Sequence, residues 1–337
     1  IQFVFLTGVS KFARVSVFSG LNNLRDITLS QEFSTMTGYT ETELQTYFEP
    51  YIDLVAQRIQ IKTSELLREI KNWYNGYSWD GKNFVYNPYS ILYLFTEKQF
   101  DNFWFTSGTP TFLIKLIRDY EVDVENLEHY ETSKNIFESY DIDHMQVESL
   151  LFQTGYLTIQ HIKQISPTQQ RYTLSYPNLE VKESLLGHIL ADYAGAASYK
   201  TQHLVYQLTE SLLNHQLEEF FTLLKSIFAS IPSHLFIKNK EAYYHTIIYL
   251  ILTLIGVRVS AEVHTNKGRI DAVIKTEQHI YIMEFKLGTA AKALEQIEEK
   301  QYYEKYLSSN QQIILIGVGF DIEEKNIKDY LVKPIQS

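Results

Sequence analysis

Residues 268–288 read GRIDAVIKTEQHIYIMEFKLG, two apolar β-runs joined by a short polar link. No other segment limits the fold as tightly. Taken as a strand, HIYIMEFKL places Ile280, Ile282, Glu284 and Lys286 on one face and Tyr281, Met283, Phe285 and Leu287 on the other, in the core. Asp271 lies 13 residues before Glu284, on the preceding strand of a plausible hairpin. Burying an unpaired charge is expensive. Either this strand ends at the surface, or its charges serve chemistry.

The surrounding pattern supplies the architecture. From residue 240 the chain reads helix (KEAYYHTIIYLILTLI), strand (VRVSAEVHT), strand (RIDAVIKT) and strand (HIYIMEFKL). A helix (AAKALEQIEEKQYYEKYLSS), a strand (QQIILIGVGF) and a closing helix are expected after these. That α-β-β-β-α-β order predicts a mixed sheet with helices on its faces. Ile231-Pro232-Ser233 marks the expected boundary before it.

The earlier part is more helical. Thr40 and Glu43 form a capping-box pattern, and Asn87-Pro88-Tyr89-Ser90 opens another helix. Ile159–Tyr172 fits a β-hairpin turning near Pro167, which with the short helices suggests a winged-helix-like unit. The chain opens with FVFLTGVS, the pattern of a buried parallel strand. The expected division is an N-terminal segment at 1–60, a helical, winged-helix-like unit at 61–185, a helical connector at 186–232 and the α/β sheet domain at 233–337.

Composition removes several classes. The absence of cysteine excludes disulfides and Cys-based metal sites. The ten His form no H-E-x-x-H or H-x-H pair. The longest apolar run, TIIYLILTLIGV, falls short of the roughly 20 residues that a bilayer needs. No membrane partner is expected, and cytoplasm is the default location. Residues 234–337 hold thirteen basic and thirteen acidic residues, so the whole net charge of −10 falls in residues 1–233. Such acidity argues against a nucleic-acid-coating protein. It leaves room for a nuclease, which needs acidic metal ligands and a local basic rim.

Asp271 and Glu284, if within a few Å, raise each other's pKa unless a cation lies between them. Mg²⁺ suits two carboxylates, with waters and a substrate phosphate completing its octahedron, and Mn²⁺ is the alternative. Lys286 beside them can orient the attacking water and balance developing negative charge. These are the parts of a phosphodiester hydrolase. Acid-x-Lys occurs at Glu69, Asp80, Glu180, Glu284, Glu298 and Glu323. The copy at Glu284 is set apart because it ends an apolar strand and has an Asp on the strand before. A pair of solvated strand-end charges at the sheet rim fits the same pattern.

Asp271-x12-Glu284-Phe285-Lys286 resembles the signature of the PD-(D/E)xK nuclease superfamily, whose core is α-β-β-β-α-β. The resemblance implies a restriction-endonuclease-like fold, Mg²⁺-dependent cleavage of nucleic acid, DNA above RNA, and roles for Asp271 and Glu284 as metal ligands. It implies that Glu241 is an additional ligand and Gln296 the polar residue aimed at the site. Helical spacing from Gln296 puts Lys300 and Tyr303 on one face, where they could meet a phosphate backbone. Plainer readings are a dipole-favoured helix-start acid for Glu241 and a solvated face for Lys300 and Tyr303. Ile270 stands where the motif's name has Pro.

The motifs FLTGVSKFARVSVFSGLNNLRDITL, GYTETEL, NWYNGYSWDG, VYNPYSIL and FWFTSGTPTFLI resemble a bacterial family that joins an AAA-ATPase-like domain to such a nuclease domain. The resemblance implies an N-terminally truncated member without its P-loop, in which residues 1–60 are the remnant of the ATPase core and residues 61–185 its lid. Gly81-Lys82 is the only Gly-Lys, and Asn83 follows it, so G-x-x-x-x-G-K-S/T is absent. ATP hydrolysis is not expected of this chain, and ATP belongs to a full-length parent. Thr7 or Ser10 stands where a γ-phosphate sensor would sit, or simply caps a turn. Tyr74, Tyr77, Trp79, Trp104 and Phe105 read as lid core rather than a base-stacking surface. The alternative to a nuclease is an inactive nuclease-fold module serving regulation or protein interaction.

Overall fold

A computed structural model describes residues 3–5, 7–8, 25–106, 111–137, 146–231, 240–258, 260–266, 269–321 and 323–335. The chain divides into two compact units, Ile1–Leu185 and Leu186–Ser337, each an α/β arrangement with its own sheet.

In the first unit, α1 (Glu41–Ile59) starts at the capping box read from the sequence. Thr40 N–H donates to Glu43 Oε2 at 2.8 Å, and Glu43 N–H donates to Thr40 Oγ1 at 3.3 Å. Helix α2 spans Thr63–Tyr74. Helix α3 (Pro88–Glu97) opens with Asn87 accepting from Tyr89 N–H and Pro88 in the first turn. Leu44, Val55, Leu66, Ile70, Tyr74, Ile91 and Leu94 form the shared core of these helices. Helices α4 (Phe103–Thr106), α5 (Thr111–Asp119) and α6 (Val147–Gln153) follow. The sheet has strand order β1-β3-β2, all antiparallel, from β1 (Tyr130–Ser133), β2 (Thr158–Ser166) and β3 (Gln169–Ser175). Strands β2 and β3 are the expected hairpin. The unit boundary falls within α7 (Leu179–Tyr193).

The second unit carries α8 (Ser198–Leu213), α9 (Leu217–Ser230) and α10 (Lys240–Arg258). Strands β4 (Ser260–Asn266), β5 (Arg269–Lys275) and β6 (His279–Leu287) come next, then α11 (Ala290–Glu299), β7 (Gln312–Asp321) and β8 (Asn326–Pro334). The sheet runs β4-β5-β6-β7-β8. Only β6 and β7 are parallel, as a helical crossover through α11 requires. Ala290, Ala293 and Ile297 form the buried stripe of α11, and Ile297 packs with Val273, Ile280, Ile282, Ile313 and Leu315. On the other face Tyr281 Oη donates to Leu212 O at 2.9 Å, and the Phe221 and Tyr330 rings stack at 3.9 Å.

Several expectations need correction. Helices α8 and α9 belong to the same compact unit as the sheet, Leu186–Ser337, which holds the expected connector together with the expected sheet domain. The helix after β6 stops at Glu299, because Gln301 takes a left-handed φ of 51°. The expected closing helix is strand β8, whose backbone pairs with β7 along what would otherwise be an open edge. Phe3, Val4 and Phe5 are 80%, 47% and 52% exposed and in no ladder, so the expected buried parallel strand is not formed there. A strand needs a neighbour to satisfy its backbone, and no described element pairs with it. Thr7 is likewise exposed, and Ser10 lies outside the described residues. Among the described residues no helix is long and apolar enough to cross a membrane.

Candidate active site

Strands β5 and β6 are antiparallel, with Asp271 directly opposite Glu284 and Arg269 opposite Lys286. Opposed residues in such a ladder have Cα atoms about 4.5–5.5 Å apart and side chains on one face. The two acids of the motif are therefore cross-strand neighbours by backbone register. The side chain of Asp271 lies outside the described residues. Glu284 is completely buried, so it is no solvated strand-end charge. The row continues on both sides, with His264 of β4 opposite Asp271 and Gly317 of β7 beside Glu284.

Lys286 follows two residues later on the same face, half-buried. Its Nζ donates to Gln296 Oε1 at 2.9 Å. Gln296 belongs to α11, which lies over this face of the sheet. A strand-end lysine and a helix amide ten residues apart are thus in direct contact. The ammonium has three donors and this bond takes one.

The other candidates fare differently. Glu241 lies in the first turn of α10, with its side chain outside the described residues. Lys300 and Tyr303 do not continue the Gln296 face, since the helix has ended before them. Lys300 Nζ lies 5.5 Å from the Tyr302 ring centroid. Tyr303 packs against the apolar cluster of Ile280, Ile282 and Ile313. Phe105 also has its side chain outside the described residues. Tyr74 is fully buried against Phe100 and Phe103 rather than offered to bases.

The donor chemistry fits a hard divalent cation. A buried acid facing a second acid is costly unless positive charge offsets it, and Mg²⁺ takes one or two carboxylates with water and phosphate. Among the described residues there is no cluster of three or more His, Asp or Glu that forms a ready cage.

Sequence reasoning missed His264, Gly317, Gly319 and Asp329. Each takes its meaning from strand register, and the register of β8 was hidden by reading that segment as a helix.

Residues 239–330 match the model of the PD-(D/E)XK nuclease superfamily. A domain of that superfamily occupies this part of the chain, from α10 into β8, and includes every residue of the site. The chain is also 37% identical, over 343 aligned residues covering 99% of it, to a protein of Azotobacter chroococcum mcd 1 described as an uncharacterized protein in the vnfD 5′ region. It spans 64% of that protein's length. No solved structure matches the chain. The superfamily match leaves out residues 1–238, where the ATPase-like reading rests on sequence motifs alone.

Proposed function

We propose that the second unit is a metal-dependent nuclease that hydrolyses phosphodiester bonds, with DNA as its substrate. The observation that carries this reading is the paired register of Asp271 and Glu284 beside a lysine held by Gln296. A sheet needs no such set for its stability. Asp271 and Glu284 are the metal ligands, joined by Glu241. The bound Mg²⁺ or Mn²⁺ would polarise the scissile phosphate and lower the pKa of a water. Lys286 orients that water and balances charge developing on the phosphate, and Gln296 fixes where the ammonium points.

The test is cleavage of end-labelled single- and double-stranded DNA and RNA by the full 337-residue chain, with and without Mg²⁺ or Mn²⁺. Cleavage that needs metal, prefers DNA and vanishes in Lys286→Ala is expected. A folded chain that cuts none of these substrates, or a Lys286→Ala variant as active as the parent, would overturn the reading.

A further inference from the structure

The glycines of β7 lie beside the two charged residues of β6, with Gly317 opposite Glu284 and Gly319 opposite Lys286. A Cβ on Gly317 would stand 2.3 Å from Ala290 O and 2.6 Å from Leu294 N, inside the first turn of α11. A Cβ on Gly319 would stand 2.7 Å from Ala290 N and 2.1 Å from Asp329 Oδ1. Real side chains do not come so close. Helix α11 therefore starts on bare β7 backbone, one strand over from the candidate site.

Strand β8 fixes that start. Asp329 pairs with Gly319 across the ladder, and its carboxylate reaches over the glycine to accept from Ala290 N–H at 2.9 Å. Thr289, at the N-cap position, makes no side-chain cap bond. Asp329 supplies from a neighbouring strand the acceptor that a capping residue ordinarily provides. Its negative charge also suits the helix N-terminus. From this anchored first turn, a rise of about 1.5 Å per residue carries Gln296 to the Lys286 ammonium. Lysine has a flexible four-carbon stem and gains direction only from what holds its end.

We propose that Asp329 is a positioning residue for Lys286, acting through α11: Asp329 seats Ala290, the Gly317 and Gly319 gap lets the helix lie flat, and Gln296 then holds the ammonium. The activity part of this proposal rests on the nuclease reading above. The positional part does not.

The test compares Asp329→Ala with Asp329→Asn in the full chain. It reads the NMR resonance of the Lys286 ammonium, whose protons exchange slowly while Gln296 holds them, beside cleavage rate and DNA affinity without divalent metal. Asp329→Asn keeps an acceptor for Ala290 N–H and should match the parent in all three. Asp329→Ala should lose the slowly exchanging signal and cleave about tenfold more slowly or worse, as misplacement by 1 Å can produce, with DNA affinity unchanged. A folded Asp329→Ala chain that keeps the signal and the rate overturns the proposal. If the alanine variant does not fold, Asp329→Ser, whose hydroxyl is too short to span Gly319, is read in its place by the same signals. If the parent cleaves nothing, the resonance alone decides, so failure of the nuclease reading and failure of this one are told apart.

Discussion

Among the described residues, Glu180 in the first unit and Glu284 in the second are both 0% exposed. Their neighbours differ. Glu180, in the first turn of α7, accepts from Ser90 Oγ at 2.7 Å and from Trp104 N–H at 2.8 Å. It joins α3, α4 and α7 by satisfying donors that would otherwise be stranded. Glu284 instead stands in a ladder opposite Asp271. Burial alone therefore says little about function. An acid surrounded by donors is a structural joint, whereas an acid set against an acid invites a cation.

The largest effects should separate the two. Lys286→Ala and Glu284→Gln are expected to lower cleavage by about 10²-fold or more, measured as single-turnover rates. Glu284→Gln should leave the melting temperature unchanged or raise it, because it removes one of two opposed charges without changing shape. A large fall in melting temperature would place Glu284 with Glu180, as a structural joint.

Glu180→Ala should have the opposite profile. Stranding the Ser90 and Trp104 donors should cost about 3 kcal/mol, read from urea unfolding. All three tryptophans, Trp73, Trp79 and Trp104, lie in the first unit, so their fluorescence follows that unit alone. Burial, partly offset by the hydrogen bonds from Trp104 and Ser90, pushes the Glu180 carboxyl from 4.5 up to about 7. Between these values the folded unit keeps a proton that the unfolded chain has released. Stability should thus fall as pH rises from 4.5 to 7, and Glu180→Gln should flatten that slope. An unchanged slope would mean that other groups set the response.

Glu43 is the milder case, a carboxylate at a helix start with Thr40 as its partner. Its pKa is lowered by hydrogen bonds from Thr40 backbone and side chain. Thr40→Ala should cost about 1 kcal/mol, the usual value of an N-cap, again read by tryptophan fluorescence. A loss as large as that of Glu180→Ala would erase the distinction between a surface cap and a buried joint.

These three acids also show what the sequence made legible. Thr40 and Glu43 are three residues apart, and local spacing was enough to identify the capping box. Asp271 and Glu284 belong to a short hairpin, where alternation fixed the faces and the register followed. Glu180 bonds to a serine ninety residues earlier, and in the sequence it looked like one more acid-x-Lys. Asp329 was hidden in the same way. The segment DIEEKNIKDYLVKP has charges enough for a helix, and its strand conformation depends on pairing with β7. The expected helical reach from Gln296 to Tyr303 failed at Gln301, a non-glycine residue with positive φ that no local pattern announces.

Histidine offers the smallest contrast between the units. His279 opens β6, the strand that carries Glu284, and its ring stacks on His215 at 4.3 Å, while His215 Nδ1 lies 3.0 Å from Tyr281 Oη. Burial, and then the neighbouring His215, lower its pKa below 6.5. The unfolded chain takes up this proton first, so the contribution is present above pH 6.5 and is lost as pH falls through the folded value. The second unit should therefore weaken on acidification, over a range where Glu180 strengthens the first. An NMR titration of the His279 ring should give a midpoint below 6.5, moving upward in His215→Ala because one of its two causes is gone. A midpoint at or above 6.5 in the parent would show that burial does not govern this ring, and the opposite pH responses of the two units would lose their basis.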